Sequence, residues 1–176
     1  HCVTRRQRQM CIRDRAKLSE KDVTISGFSG QENNVEVVVD NLGVGDYEFA
    51  LDNGRFQDEP YFTQVRPGMR TVQVRDKIGC GVATIQVGVV GYYKYFSPNN
   101  DGINDTWQIL GLKTTFNSLS KVYIYDRYGR FLKQLSGYED FWDGNYQGKP
   151  LPSDDYWFRL ELEDGRIYTG HFSLIR

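Results

Sequence analysis

The sequence predicts an all-β protein organised as two small antiparallel β-sandwiches in tandem, and three observations carry this prediction. Apolar and polar residues alternate along short runs, most cleanly where Tyr156, Phe158 and Leu160 are interleaved with Trp157 and Arg159. Successive side chains of a strand point to opposite faces, so each run has one apolar face to bury. Turn residues separate the runs at about ten-residue spacing, and no run has a helical period. At 176 residues the chain is long enough for two such units.

The first predicted module, residues 18–90, contains four alternating runs. Turn sequences separate them, because Gly, Asn, Asp and Pro adopt the backbone angles that tight turns require. The inward apolar positions are Val35, Val37 and Val39, then Tyr47, Phe49 and Leu51, then Val72 and Val74, and finally Ile85, Val87 and Val89. The turns are predicted at Asn41-Leu42-Gly43, Asp52-Asn53-Gly54, Arg66-Pro67-Gly68 and Ile78-Gly79.

The second predicted module, residues 91–176, begins with a dense aromatic run at residues 92–96 that predicts one strand. No Ser- or Pro-rich linker precedes it, so the two modules are expected to abut with restricted relative motion. Near the other end, Asp164-Gly165 predicts a hairpin turn into a last strand at residues 167–175. The sequence thus predicts a second sheet that ends on a paired strand.

The first residues of the chain differ from the rest in charge and pattern. Residues 1–15 contain five arginines and one acid, which gives them a charge of +4. The net charge of the chain is −1, so the remaining residues carry −5. Residues 1–17 are interpreted as a disordered tail or a sequencing artefact, with a basic binding arm as the alternative. They also lack the apolar core of a signal peptide. The acidic body argues against nucleic-acid binding, and no apolar run reaches the roughly 18 residues of a membrane span.

The cysteine content predicts no disulfide framework. Cys2 and Cys11 fall in the suspect first segment, which leaves Cys80 alone in the predicted modules. A lone cysteine is most often a small buried hydrophobe. The alternative is a pairing partner in sequence upstream of this chain.

An Asx-rich segment at residues 97–105 is the strongest candidate for site chemistry. Asn99, Asp101, Asn104 and Asp105 place oxygen-bearing side chains around a glycine turn, which partly imitates a calcium loop. The acid that completes such a loop is missing, because Gln108 stands at its twelfth position. The preferred interpretation is a turn whose side chains cap backbone amides. Calcium binding and a receptor-contact surface are the alternatives, and no other cofactor is expected.

Two further segments allow a structural and a functional interpretation. Trp142 is expected to be a buried core residue, and Asp143-Gly144 is expected to form the turn that follows it. The alternative is that Trp142 is exposed and stacks on a sugar ring. Tyr125-Asp126-Arg127-Tyr128-Gly129 is expected to end a strand and turn into the next, although Asp126 and Arg127 could contact a partner.

Catalysis is not expected. Apart from His1, the only histidine is His171, on the predicted outward face of the last strand, so no nucleophile–base constellation can be assembled without it. Phosphate-binding glycine loops and zinc spacings do not occur. The sequence therefore predicts a protein that is not an enzyme.

The ordered motifs of residues 97–176 resemble the type B C-terminal sorting domain of type IX secretion substrates, also called the gliding-motility-associated C-terminal domain. Two departures from that family are mild: Asn100 stands where glycine is usual, and Asp154-Asp155 replaces a small or glycine-containing turn. The residues that match its motifs are Pro98, Asn99, Asp101, Gly102, Asn104, Asp105, Trp107, Tyr125, Asp126, Arg127, Gly129, Trp142, Asp143, Gly144, Gly148 and Arg176.

The first module resembles the immunoglobulin-like repeats of large surface adhesins, which often precede this sorting domain. The resemblance rests on Tyr47-Glu48-Phe49-Ala50-Leu51-Asp52, Phe56, Pro67-Gly68, Val72-Gln73-Val74-Arg75-Asp76 and Gly79-Cys80. Together the two resemblances imply two immunoglobulin-like β-sandwiches, an adhesin repeat at residues 18–90 and a sorting domain at residues 91–176.

The function that the resemblance implies is delivery, not chemistry. The chain is expected to be the end of a larger exported protein whose cargo domains lie upstream and are missing from it. The type IX machinery at the outer membrane of Bacteroidota-like bacteria would read the sorting domain and move the protein through the periplasm to the cell surface or the medium. The alternative is an adhesive module that binds glycans or proteins at the cell surface.

Overall fold

The computed structural model describes residues 18–28, 33–42, 45–78, 81–112, 119–137 and 139–176. Within these residues the regular structure consists of strands and two short 3₁₀ turns, with no α-helix, so the all-β prediction is confirmed. The predicted tail at residues 1–17 and Cys80 lie outside the described residues. In chain order the strands are β1 (Val23–Ser26), β2 (Asn33–Val37), β3 (Tyr47–Leu51), β4 (Tyr61–Val65), β5 (Gly68–Asp76), β6 (Val82–Val89), β7 (Gly91–Tyr92), β8 (Tyr95–Phe96), β9 (Ile109–Leu110), β10 (Lys121–Tyr125), β11 (Phe131–Ser136), β12 (Asn145–Tyr146), β13 (Lys149–Pro150), β14 (Asp154–Glu161) and β15 (Ile167–Leu174).

Two three-stranded antiparallel sheets, β1–β2–β4 and β3–β5–β6, make up the first half of the fold. They share one buried cluster, to which β2 contributes Val35 and Val37 while β5 contributes Val72 and Val74. These valines are the alternate residues of their strands, and each is at most 1% exposed. The period-two pattern therefore identified the inward faces of these strands correctly.

The predicted inward position of Val39 is wrong. Strand β2 ends at Val37, and Val39–Asn41 forms a 3₁₀ turn in which Val39 is 37% exposed. The amide of Leu42 donates to the carbonyl of Val39 (2.9 Å), which closes this turn. Leu42 is buried instead, and its carbonyl accepts a hydrogen bond from the Tyr47 hydroxyl at 2.9 Å.

The second half is built on a five-stranded sheet in the order β11–β10–β14–β15–β8. The predicted hairpin is present, with β14 and β15 paired from Asp154↔Leu174 to Glu161↔Ile167. Strand β8 runs parallel to β15, the one parallel pairing among the described strands. The small pairs β7–β9 and β12–β13 complete this half. Its buried residues are rich in aromatics, which include Trp107, Trp142, Phe158 and Phe172.

The aromatic run at residues 92–96 does not form the single strand that the sequence predicts. Strand β7 pairs with β9 and strand β8 pairs with β15, so the run contributes to two sheets. The chain breaks between them at Tyr93 and Lys94, whose carbonyls accept hydrogen bonds from the Trp107 indole and the Ser173 amide. Tyr92 and Phe96, one on each strand, are both buried, at 9% and 0% exposure.

The two halves contact each other closely. Phe28 follows β1 and stacks on Tyr168 of the second half, with ring centroids 4.3 Å apart. The backbones of residues 88–90 and Gly111 approach so tightly that a Cβ on Gly111 would lie 2.1 Å from the carbonyl oxygen of Val89. The buried members of the two clusters fall at residues 35–89 and 92–174 respectively. The division into modules at residues 18–90 and 91–176 stays a prediction.

Candidate functional site

The Asx-rich segment folds as a loop organised by Asp105. Its carboxylate accepts hydrogen bonds from the amides of Asn99 (3.1 Å), Asn100 (2.7 Å) and Gly102 (2.8 Å). The amide of Asn99 also donates to the carbonyl of Ser97 at 2.8 Å, so the carboxylate chiefly satisfies the amides of Asn100 and Gly102. Asn100 has φ +62°, in the left-handed region where glycine is favoured and asparagine is the common alternative. The departure of Asn100 from the family's glycine therefore preserves the backbone conformation.

Asp101 makes a second set of bonds within the same loop. Its carboxylate accepts from the Asn99 side-chain amide and from the Ile103 backbone amide, each at 2.8 Å. The amide of Asp101 in turn donates to Asn99 Oδ1 at 3.1 Å. The bond from the Asn99 side chain, followed by that from the Ile103 amide, holds the pKa of the Asp101 carboxyl below its usual value. Asp101 therefore stabilises the loop in its charged form.

The calcium candidates Asn99, Asp101, Asn104 and Asp105 lie together in this loop, but their bonds favour amide capping. Calcium takes six to eight oxygen ligands, normally including a bidentate carboxylate. The two carboxylates present are already engaged with donors of the loop itself. Among the described residues, no group of three or more His, Cys, Asp or Glu is placed to hold a metal ion. Calcium binding stays a prediction that a titration can test.

Trp107 and Trp142 are core residues. They are 1% and 0% exposed, and their main chains exchange two hydrogen bonds of 2.8 Å. The indole of Trp107 donates to the carbonyl of Tyr93 (3.0 Å), and that of Trp142 donates to the carbonyl of Asn145 (2.9 Å). The predicted core role of Trp142 is confirmed, and its burial rules out stacking on an external sugar ring.

The residues after Trp142 form a turn closed by hydrogen bonds. Asp143 accepts from the backbone and side-chain amides of Asn145, at 3.0 and 2.7 Å. Burial raises the pKa of the Asp143 carboxyl, but the bonds from Asn145 and the charge of Lys133 outweigh it, and the net shift is downward. Gly144 and Gly148 have φ of +77° and +75°, which L residues rarely adopt.

Arg176 ties the end of the last strand to this turn. Its Nε donates to the carbonyl of Leu151 at 2.9 Å, and its Nη2 lies 3.3 Å from the carbonyl oxygen of Gly144. Its backbone amide donates to the hydroxyl of Ser153 at 2.8 Å. The motif residues Gly144 and Arg176, which are distant in sequence, are therefore in direct contact.

The turn between β10 and β11 is organised by Asp126. Its carboxylate accepts from the amides of Tyr128 and Arg130, each at 2.9 Å, and from Arg130 Nε at 3.0 Å. Desolvation raises the pKa of the Asp126 carboxyl, but the bonds and the charge of Arg130 outweigh it, so the pKa is lowered. Gly129 has φ +79°, and the strand–turn–strand prediction is confirmed.

Arg127 lies in the same turn and reaches a different strand. Its Nη1 is 3.5 Å from Asp154 Oδ2, and both side chains are partly exposed. Asp154 and Asp155 begin β14, and Asp155 accepts a hydrogen bond of 2.5 Å from the Ser173 hydroxyl. The two acids that depart from the family pattern therefore have partners in this structure.

The outward face of the five-stranded sheet carries aromatic residues that the sequence analysis did not single out as a site. Tyr125 pairs with Phe131 on one side and Trp157 on the other, and Trp157 pairs with His171. We call Phe131, Tyr125, Trp157 and His171 the aromatic row. His171 is exposed on the outward face, as predicted. The sequence does show that Trp157 occupies an outward position of a cleanly alternating strand, which marks it as an exposed aromatic residue. Its alignment with Tyr125, Phe131 and His171 depends on strand register, which the sequence does not show.

Among the described residues, none of the helical segments has the length and apolar character of a membrane span. The motif residues of the second half converge on no single cleft. The Asx-rich loop, the tryptophan pair and the two turns instead fix the course of the chain around one aromatic core.

A known protein family matches the second half of the chain. Residues 90–174 match the family model of the CHU_C type IX secretion signal domain. No curated protein matches the chain. Because the family match covers residues 90–174, the resemblance of residues 18–90 to adhesin repeats stays a prediction.

Solved structures show only distant likeness. PorZ, an essential surface component of the type IX secretion system of Porphyromonas gingivalis, is 17% identical over 91% of this chain, with a TM-score of 0.41. Dimeric latent PorU of the same organism is 14% identical over 87% of this chain, with a TM-score of 0.35. The BSP domain of a biofilm associated protein is 10% identical over 87%, with a TM-score of 0.33. This chain spans 22%, 20% and 29% of those chains.

Proposed function

Because residues 90–174 of this chain belong to the CHU_C type IX secretion signal domain family, we propose that they form the address that sends a larger protein across the outer membrane. The destination is the cell surface or the medium, and the route passes through the periplasm. The partner is the type IX machinery at the outer membrane. The proposal assigns no catalytic step to this chain.

The observation that carries the proposal is the family match at residues 90–174, a segment whose motif residues surround one aromatic core. The Trp107–Trp142 pair and Arg176 join parts of residues 90–176 that are distant in sequence, while Asp105 closes a local loop. Motif residues that act in this way specify a folded surface, not a linear peptide. We therefore infer that the export machinery reads this segment in its folded state.

The first half is proposed to be an adhesin-type repeat of a gliding-motility or surface protein of Bacteroidota-like bacteria. Its contact with the second half through Phe28 and Tyr168 supports a defined orientation of the signal on the protein that it delivers. Residues 18–90 would then connect cargo and address.

The experiment is an export assay in a host with type IX secretion. A fluorescent reporter is fused before residues 1–176, and a matched fusion carries residues 1–91 alone. We expect the longer fusion to reach the surface or the medium and the shorter one to stay in the periplasm. The same fusions in a host without the type IX system give the background. Export by residues 1–91 alone would contradict the proposal.

The alternative function is an adhesive module that binds glycans or proteins at the cell surface. The exposed aromatic row is the one observation that favours it, because aromatic faces also serve as ligand platforms. Glycan binding by the purified chain, together with export that does not depend on residues 92–176, would favour this alternative.

A further inference from the structure

The aromatic row crosses four neighbouring strands of the five-stranded sheet. Its members are in register, so they lie side by side over a length of about 15 Å at the usual strand spacing. The ring centroids of Tyr125 and Phe131 are 6.0 Å apart, and those of Trp157 and His171 are 6.2 Å apart. Phe131 is 48% exposed and Trp157 is 42% exposed. The row therefore places two aromatic pairs on neighbouring strands of the solvent side of the sheet.

This surface lies wholly inside the segment that matches the secretion signal family. Its four members fall at residues 125–171, within the match at residues 90–174. Tyr125 is also one of the motif residues, and unlike the buried Trp107 and Trp142 it lies on the outward face. On the β3–β5–β6 sheet of the other half, the paired residues Glu48 and Arg75 form an ion pair of 2.7 Å instead. The aromatic surface thus belongs to the signal.

The charged groups on the strands of the row have partners within the protein, and Lys133 near Phe131 donates to the carbonyl of Phe141 at 3.0 Å. On one side Arg159 contacts Glu161 at 2.9 Å, and on the other Asp155 accepts a bond from Ser173 at 2.5 Å. A polyanion or an anionic membrane would require unpaired cations here. The face therefore suits an uncharged partner surface held by apolar and aromatic contacts, of the kind that Trp and Tyr anchors dominate.

The size of the row limits the kind of complex that it can form. Four aromatic side chains exposed to this degree present about 300–400 Å² of apolar surface. A stable dimer buries about 800 Å² on each partner. The row is too small for permanent self-association, but its size suits a transient contact. A sorting signal needs such a contact, because the machinery must release the protein after delivery.

We propose that the aromatic row is the surface by which the type IX export machinery holds this domain, through an uncharged and largely apolar patch on a protein component. This inference rests on the proposed function and names the residues that make the contact. The motif residues of the core and turns would then preserve the sheet that presents the row. Trp157 is the central anchor, because it lies between Tyr125 and His171.

The test uses the full chain fused to the reporter in the exporting host. The double variant Phe131→Thr/Trp157→Thr removes two exposed rings while keeping a strand-forming residue at each position. The control Tyr61→Thr removes a 54% exposed ring on β4 of the other half. We expect the double variant to lower the exported fraction at least fivefold, with folded reporter accumulating in the periplasm. The control should be exported like the wild type.

Folding is monitored separately. The purified double variant should melt within about 3 °C of the wild type, as expected for surface substitutions. If the double variant melts much lower, the export of two single variants, Trp157→Thr and Trp157→Phe, is compared instead. Phenylalanine keeps an aromatic ring at this position, so Trp157→Phe should retain export within about twofold, whereas Trp157→Thr should lose it. Wild-type export of a well-folded double variant, or of Trp157→Thr, overturns this proposal but leaves the proposed function standing. Failure of the wild-type fusion to leave the cell overturns both.

A direct test identifies the occupant of the row. A photo-crosslinking residue placed at position 157 of the full chain should give an adduct with a type IX component during export, and one placed at position 61 should not. Absence of that adduct in exporting cells contradicts the proposal. Glycan binding or dimerisation of the purified chain that is lost in Trp157→Thr also overturns it, because the row would then serve another partner.

Discussion

Trp107 and Trp142 are joined by two main-chain hydrogen bonds, each 2.8 Å long, and both indoles are buried against the same sheet. Trp107 lies flat on Phe172 of the last strand, with centroids 3.9 Å apart and ring planes 14° apart. Trp142 meets Phe172 edge-on at 5.9 Å. The bridge between the two tryptophans thus closes the core over the hairpin of β14 and β15.

Trp107→Ala is expected to lower the free energy of unfolding by about 3–5 kcal/mol, the usual cost of removing a buried aromatic side chain. Trp107→Phe keeps a ring over Phe172 but loses the indole donor to Tyr93, and should cost about 1–2 kcal/mol. Urea unfolding followed by circular dichroism measures both values. Equal and small losses for the two variants would show that Trp107 is not a core anchor.

Asp105→Ala is expected to destabilise the second half by about 2 kcal/mol, because the amides of Asn100 and Gly102 lose their acceptor and that of Asn99 keeps only Ser97. Asp105→Asn keeps one side-chain oxygen and should lose less. Thermal unfolding compares the two with the wild type. An unchanged melting temperature in Asp105→Ala would mean that water replaces the carboxylate without loss.

Calcium is expected to leave the melting temperature of the wild type unchanged, because the loop carboxylates are occupied by amide donors. The measurement compares millimolar calcium with a chelator. If the loop binds the ion, calcium raises the melting temperature through binding to the folded state, and Asp101→Ala removes the increase. That result would show that the loop is a calcium site, and that its carboxylates do not serve only to cap backbone amides.

A comparison of Gly111→Ala with Gly129→Ala separates the stability lost to a steric clash from the stability lost to a strained backbone conformation. Both glycines have left-handed φ, +80° and +79°, so both variants should share a strain of about 1 kcal/mol. A Cβ at Gly111 would lie 2.1 Å from the carbonyl oxygen of Val89, whereas a Cβ at Gly129 meets nothing within 4 Å. Gly111→Ala should therefore cost at least about 2 kcal/mol more in denaturant unfolding. Similar losses would argue against the close contact of the two halves.

Acid should destabilise the protein below about pH 4. The pKa of Asp101 is lowered first by Asn99, and that of Asp164 is lowered first by the Arg166 side chain. A carboxyl with a lowered folded pKa binds fewer protons when folded, so its contribution is complete above the unfolded pKa of about 4 and is lost as pH falls through the folded pKa. Urea midpoints at several pH values measure the loss. In Asp164→Asn the urea midpoint should fall less steeply as the pH is lowered. An unchanged pH dependence in that variant would show that Asp164 does not contribute to the acid destabilisation.

The sequence alone determined the strands that alternate cleanly and the turns beside them, because the information for these elements is local. Alternation along residues 156–160 fixes which side chains of β14 point inward, and Asp164-Gly165 suits the hairpin that follows. The core position of Trp142 was predictable for the same reason, since a turn sequence follows it directly. Val39 shows the limit: it continues the alternation, yet β2 ends at Val37 and Val39 begins a 3₁₀ turn closed by a bond from the Leu42 amide.

Only the tertiary structure decided which distant segments meet. The parallel pairing of β8 with β15, the split of the aromatic run at residues 92–96 and the contact of Arg176 with Gly144 depend on partners far along the chain. The aromatic row is the clearest case, since Trp157 joins Tyr125 and His171 only through the register of three strands. Register depends on the packing of all paired strands at once, and no local pattern in one strand specifies its neighbour.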